Sequence, residues 1–101
     1  MQEIENIMFN EKGLVPCIVQ SSGNNDVLML AWMTKETIVN TIDSGYATYW
    51  SRSRGEIWIK GQSSGNKQKV NEIMIDCDKD CILLKVDQKG VACHTGEWSC
   101  F

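Results

Sequence analysis

Three aspartates alternate with a cysteine and a lysine in Asp76-Cys77-Asp78-Lys79-Asp80, and no other stretch restricts the fold of this chain as tightly. In an extended segment, side chains at i, i+2 and i+4 share a face. Asp76, Asp78 and Asp80 would then point one way and Cys77 the other. Three carboxylates held that close repel one another unless a cation or basic groups sit among them. Oxygen-rich clusters suit Mg²⁺, Ca²⁺ or Mn²⁺, whereas thiolates suit Zn²⁺. The segment therefore offers a hard-cation site on one face and a soft-metal ligand on the other. A solvated acidic turn is the alternative. The EF-hand is excluded, because its glycine and terminal glutamate are missing.

The tail, Cys93-His94-Thr95-Gly96-Glu97-Trp98-Ser99-Cys100-Phe101, brings two more thiols and the only histidine. Cys77, Cys93 and Cys100 are separated by 15 and 6 residues. Closed structural zinc sites take four ligands, often in Cys-x-x-Cys pairs, and no such pair exists here. Three ligands and an open position suit a catalytic zinc, with water in the vacancy. Spacing alone leaves this reading and a set of scattered reduced cysteines both open. His94 adjoins a candidate ligand, and neighbouring side chains seldom bind one metal. Proton transfer suits it better than coordination, and a histidine that only hydrogen-bonds in a turn remains the alternative.

The cysteine count bears on the compartment. Five is an odd number, whereas a secreted disulfide scaffold normally uses an even one behind a signal peptide. The N-terminus, Met1-Gln2-Glu3-Ile4-Glu5, is acidic and has no apolar signal core. A cytoplasmic protein is expected. Cys17 and Cys81 lie in apolar runs and read as core thiols. No apolar run approaches the roughly 20 residues of a membrane span. A formal net charge of -3 argues against a general nucleic-acid binder. At 101 residues the chain, residues 1–101, is a single domain. So short a chain buries only about two-thirds of the surface its unfolded form exposes, so a metal or a second subunit would help to hold it together.

Residues 15–20 read as a strand, with the lone proline near its start. Turn residues at 21–26 and the apolar run 27–33 complete a hairpin. Thr34 caps a helix in which Ile38, Val39 and Ile42 fall at helical spacing, and Gly45 suits the position just past its end. Strands are expected at 46–51, 56–60, 67–76 and 81–86, with a polar loop at 61–66 and a turn at Asp78-Lys79. The fold class is α+β, sheet-dominated, with one main helix.

The main basic feature is Trp50-Ser51-Arg52-Ser53-Arg54. If the strand continues through it, Trp50, Arg52 and Arg54 share a face. Arginine forks suit phosphate and an indole can stack on a base. Lys60, Ser63, Ser64, Gly65, Lys67 and Lys69 follow, small and basic residues suited to an oxyanion pocket. An exposed edge strand with core tryptophans is the plain alternative. Stacking tryptophans beside basic residues also fit a metal-stabilised single-strand nucleic-acid module, against which the acidic balance counts. A thiol-redox protein would need the absent Cys-x-x-Cys.

Taken together, the motifs Trp50-Ser51-Arg52-Ser53-Arg54, Trp58-x-Lys60-Gly61, Ser64-Gly65, Asp76-Cys77-Asp78-x-Asp80, Cys93-His94-Thr95-Gly96 and Ser99-Cys100-Phe101 resemble the phosphoribosyl-AMP cyclohydrolases. Gly13-Leu14-Val15-Pro16 and Val27-Leu28-Met29-Leu30-Ala31 share the likeness, which runs from about residue 13 to the end. It implies a small folded mixed β-sheet and a homodimer. It also implies hydrolytic opening of the adenine ring of 1-(5-phosphoribosyl)-AMP by a zinc-activated water, the third step of histidine biosynthesis. By resemblance, Cys77, Cys93 and Cys100 hold Zn²⁺ with ligands from both subunits, Asp76, Asp78 and Asp80 bind Mg²⁺, and His94 assists proton transfer. Trp50, Ser51, Arg52, Ser53, Arg54, Lys60, Ser64 and Gly65 are the expected substrate contacts. No nucleic-acid or membrane partner is implied. Asn66 stands where many members have histidine, and Trp98 where arginine is common.

Overall fold

Alternation builds the first hairpin. In β1 (Val15–Ser21), Val15, Cys17, Val19 and Ser21 are buried while Pro16, Ile18 and Gln20 face outward. β2 (Val27–Met33) pairs with it antiparallel and buries Leu28, Met29, Ala31 and Met33. The computed structural model describes residues 2–101.

Helix α1 (Lys35–Ser44) starts where the Thr34 hydroxyl accepts the Thr37 N–H at 3.1 Å, and Thr37 returns the bond to the Thr34 N–H at 2.9 Å. This reciprocal capping uses a threonine at the third helical position. Gly45 closes the helix at φ 80°, a conformation that a residue with a Cβ adopts only under strain. Thr37, Ile38 and Thr41 turn inward, and the helix packs against β3 and β2.

The rest is strand: β3 (Thr48–Ser51), β4 (Glu56–Ile59), β5 (Gln68–Ile75) and β6 (Ile82–Gln88). The sheet order is β4-β3-β2-β1-β6-β5. Every pair is antiparallel except β1–β6, which is parallel. The sheet is therefore mixed, as expected. At one end the segment leading into β3 meets edge strand β5: Tyr46 bridges Lys69, and the Ala47 N–H donates to Gln68 O at 3.0 Å. The core lies inside this fold, with Tyr49, Leu28, Met33, Ile38, Ile82 and Leu84 among its fully buried side chains. Cys17 is fully buried, as the apolar run implied, and burial pushes its thiol far up; Cys81 is half-buried. Among the described residues, no helix is long and apolar enough to cross a membrane.

Two local features go beyond the sequence reading. A short 3-10 helix, Gln2–Asn6, forms at the N-terminus, and Ile4 within it and Ile7 just after it are buried. The strand expected at 46–51 stops before the basic run, so the condition for a shared arginine face is not met. β3 ends at Ser51, and a turn follows in which the Gly55 N–H donates to Ser51 O at 2.8 Å, with Gly55 at φ 66°. Trp50, Arg52 and Arg54 consequently do not share a strand face.

Candidate active site

The sheet has two functional ends. β6 runs from one to the other, and its six steps from Ile82 to Gln88 span about 20 Å at the usual rise per residue.

At the first end, β5 and β6 are joined by residues 76–81. The Asp76 N–H donates to Cys81 O at 3.1 Å, and the Lys79 N–H to Asp76 O at 3.0 Å. Lys79 sits at φ 64°. Asp76 Oδ1 accepts the N–H groups of Asp80 at 2.9 Å and Cys81 at 3.2 Å. The turn expected at Asp78-Lys79 forms, so the aspartates do not share an extended face, yet the turn still gathers the carboxylates. Oxygens of Asp76, Asp78 and Asp80 lie within 4.8 Å of one another, all exposed. The hydrogen bond and charge of Asp76 raise the Asp80 carboxyl above its usual range. An all-oxygen set at this separation fits a hard divalent cation. Cys77 is exposed in the same turn.

At the second end, the chain after β6 folds back on itself. The Ala92 N–H donates to Trp98 O at 3.1 Å, the Cys93 N–H to Glu97 O at 3.2 Å, and the Gly96 N–H to Cys93 O at 3.1 Å. The tail then docks on the start of β2, with the Cys100 N–H on Leu28 O at 2.7 Å and Ser99 Oγ on Val27 O at 2.7 Å. Trp98 anchors it by donating from Nε1 to Asp26 Oδ2 at 3.0 Å. Cys93 and Cys100 are thereby brought close enough for each thiol to perturb the other. The Thr95 hydroxyl donates to Cys93 Sγ at 3.1 Å and pulls that thiol below its ordinary range. Cys100 is pushed up, first by burial and then by Cys93, with Lys60 opposing. Two adjacent sulfurs, one already biased towards thiolate, fit a soft metal.

Cys93 borders a cleft of about 690 Å³. His94, Arg54, Lys60, Ser64 and Asn66 line it with Cys93. Lys60 is buried, and its Nζ donates to Ala92 O at 2.6 Å. Its neighbour Gly61, at φ 79°, has no room for a side chain: a Cβ would lie 2.5 Å from the backbone of Asn66. The basic turn is organised by Ser51, whose Oγ accepts the Arg54 N–H and Nε–H, both at 3.3 Å, and lies 3.4 Å from Ser53 Oγ. Arg52 instead lies over the Trp32 ring, 4.6 Å from its centre, with Trp50 paired to Trp32 across the strands. Gly65 faces a neighbouring groove with Tyr46, Lys67 and Lys69.

No local sequence pattern marks the polar chain beneath this end. The Tyr49 hydroxyl donates to Gln68 Oε1, and Gln68 Nε2 donates to Gln88 Oε1 at 2.8 Å. Gln88 Nε2 in turn reaches the carbonyls of Asn66 at 3.2 Å and Lys89 at 2.9 Å. One amide thus ties together the two loops that flank the cleft. A glutamine at the end of a strand reads as a solvent-facing residue, so only the fold reveals this role.

Among the described residues, the three aspartates are the only group of three or more acidic, histidine or cysteine side chains whose ligand atoms converge. Cys77 does not join Cys93 and Cys100 within one chain. It lies beyond the opposite end of β6.

A family profile described as phosphoribosyl-AMP cyclohydrolase matches residues 29–101. A phosphoribosyl-AMP cyclohydrolase of Chlorobium limicola is 57% identical over 98 residues, covering 97% of this chain and 72% of that protein. One of Marinobacter nauticus is 54% identical over 99 residues, with 97% and 72% covered. One of Micrococcus luteus is 52% identical over 98 residues, with 97% and 78% covered. With a match of this extent, spanning both ends of the sheet, the chain belongs to the phosphoribosyl-AMP cyclohydrolase family.

Proposed function

We propose that this protein opens the adenine ring of 1-(5-phosphoribosyl)-AMP by hydrolysis at N1–C6, giving the formimino-carboxamide ribotide of histidine biosynthesis. Family membership supports the reaction, and one observation carries the chemistry: the only histidine and Cys93, a thiol that interacts with Cys100, line the same cleft as Arg54. Ring atom C6 is electrophilic because N1 bears a ribosyl group. Water adds its oxygen to C6, the N1–C6 bond breaks, and N1 takes a proton. His94 is exposed at the cleft and is the group suited to accept the water's proton and return it to N1.

Cys77, Cys93 and Cys100 would hold Zn²⁺, which when bound supplies the Lewis acidity that makes water a nucleophile at neutral pH. One chain brings only two of these ligands together, so the third would come from a second copy, making the enzyme a homodimer. The outer face of the sheet supports that reading. Leu30, Ile18, Leu83 and Met74 stand side by side across β2, β1, β6 and β5, and Leu30 and Met74 are exposed. A two-fold axis through this row would carry the partner's Cys77 end towards this chain's cleft.

Asp76, Asp78 and Asp80 would bind Mg²⁺ and orient substrate. Arg52 and Arg54 would meet its two phosphates, with Ser51, Ser53, Ser64 and Gly65 as further substrate contacts and Trp50 available for stacking. The cytoplasm is the fitting compartment, since all five thiols are free. An ultraviolet assay with phosphoribosyl-AMP tests the reading. The product should be the ring-opened carboxamide with no ammonia; ammonia released in step with substrate loss would refute it.

A further inference from the structure

Lys60 is the one side chain at the cleft whose setting differs from what its phosphate-binding motif suggested. It is only 8% exposed. Its backbone N–H is pinned to Ala47 O at 3.1 Å, and the Gly61 turn allows no side chain beside it. Its Nζ donates to Ala92 O at 2.6 Å, one residue before Cys93, and lies 5.4 Å from the centre of the Trp58 ring. Among the described residues no carboxylate lies within 4.0 Å of it, since the ion pairs are Lys35–Glu5 and Arg54–Glu56. The ionisable groups that face it are Cys100 and Cys93.

A buried ammonium without a counter-charge is costly, and a hydrogen bond to one carbonyl does not neutralise it. Substrate phosphate could supply the missing charge, but the ammonium is turned to the backbone of the thiol loop. Three thiolates around Zn²⁺ sum to a charge of −1, which one lysine balances. We infer that Lys60 is a positioning residue that fixes the Cys93 loop through Ala92 and neutralises the thiolate-metal group, favouring zinc binding rather than gripping phosphate. The inference rests on the zinc reading above and adds to it a residue outside the ligand set.

The test is zinc affinity by competition with a chromophoric chelator on the full chain, followed by KM and kcat at saturating zinc. Lys60→Met removes both charge and donor, Lys60→Gln keeps a donor without charge, and Lys60→Arg keeps both. Partners that support metal ligands typically change affinity by about 10- to 100-fold. Lys60→Met should fall in that range, Lys60→Gln should lose less, and Lys60→Arg should stay closest to wild type, with KM little changed throughout. If Lys60→Met does not fold, the ordering of the other two decides. Unchanged zinc affinity with a raised KM in the neutral variants overturns the inference and assigns Lys60 to phosphate. A wild-type protein that binds no zinc overturns the metal reading itself, and this inference with it.

Discussion

The two ends of the sheet carry similar ligand chemistry in different settings. At the tail end, backbone bonds close the 92–98 turn, Cys100 is tied to β2, and half-buried Gln88, held by buried Gln68, ties the flanking loops. At the Asp76–Asp80 end, everything that could bind a metal is exposed, and only the Asp76 carboxylate is engaged in organising the turn. The first end is held by hydrogen bonds and brings two thiols together. The second exposes a single thiol, Cys77. The contrast fits the proposed site assembled between copies, with a hydrogen-bonded pair of donors at one end of the sheet and an exposed donor at the other.

The largest effect expected is on the thiols. Cys93→Ser and Cys100→Ser should abolish tightly bound zinc and lower activity by about a thousandfold or more. Cys77→Ser should do the same despite lying about 20 Å along the sheet, while Cys17→Ser should retain zinc. Metal analysis after gel filtration reads this directly, and full zinc in Cys77→Ser would break the pairing of the two ends.

His94→Ala comes next. Loss of a positioned proton-transfer group costs about 10²- to 10⁴-fold in turnover. Zinc content and substrate affinity should hardly change. Normal turnover from pH 6 to 9 would remove His94 from the chemistry.

The arginines should separate. Arg54 lines the cleft, whereas Arg52 rests on Trp32. Arg54→Ala should raise KM by roughly tenfold, the scale of one lost charge-assisted hydrogen bond at about 1.5 kcal/mol. Arg52→Ala should raise it less, and both losses should shrink as salt rises. Equal KM values in the two variants and wild type would contradict phosphate recognition by this turn.

The smallest effect concerns acid release of the metal. Thr95 holds the Cys93 thiol below its usual range by hydrogen bonding to the sulfur. Protons compete with zinc for thiolate. Thr95→Val raises the thiol pKa, so the variant should lose zinc at a higher pH than wild type as acid is added. An unchanged release midpoint would show that this bond does not tune the site.

Much of this was readable in the sequence, for physical reasons. The apolar runs at 15–20 and 27–33 with turn residues between them and the cap residues Thr34 and Gly45 are local signals, and the elements form where those signals lie. Asp76, Asp78 and Asp80 converge as expected, though through a turn with Lys79 at φ 64° instead of an extended face. The strand end at Ser51 is legible, but the turn that Ser51 and Gly55 close, which separates Arg52 from Arg54, leaves no trace in the apolar pattern. The inward turn of Lys60, the Gln68–Gln88 link and the separation of Cys77 from the tail thiols depend on strand order. β6 pairs in parallel with β1, which no local pattern specifies.

Intersubunit complementation tests the shared site most directly. Cys77→Ser and Cys93→Ser protomers, each inactive alone, are unfolded together in equal amounts and refolded with zinc. In a mixed dimer, one site takes intact Cys93 and Cys100 from one copy and intact Cys77 from the other, while the second site lacks both Cys77 and Cys93. Random pairing makes about half the dimers mixed, and each of those holds one good site of two. The account predicts recovery of about a quarter of wild-type activity. No activity in mixtures that demonstrably contain mixed dimers would contradict it.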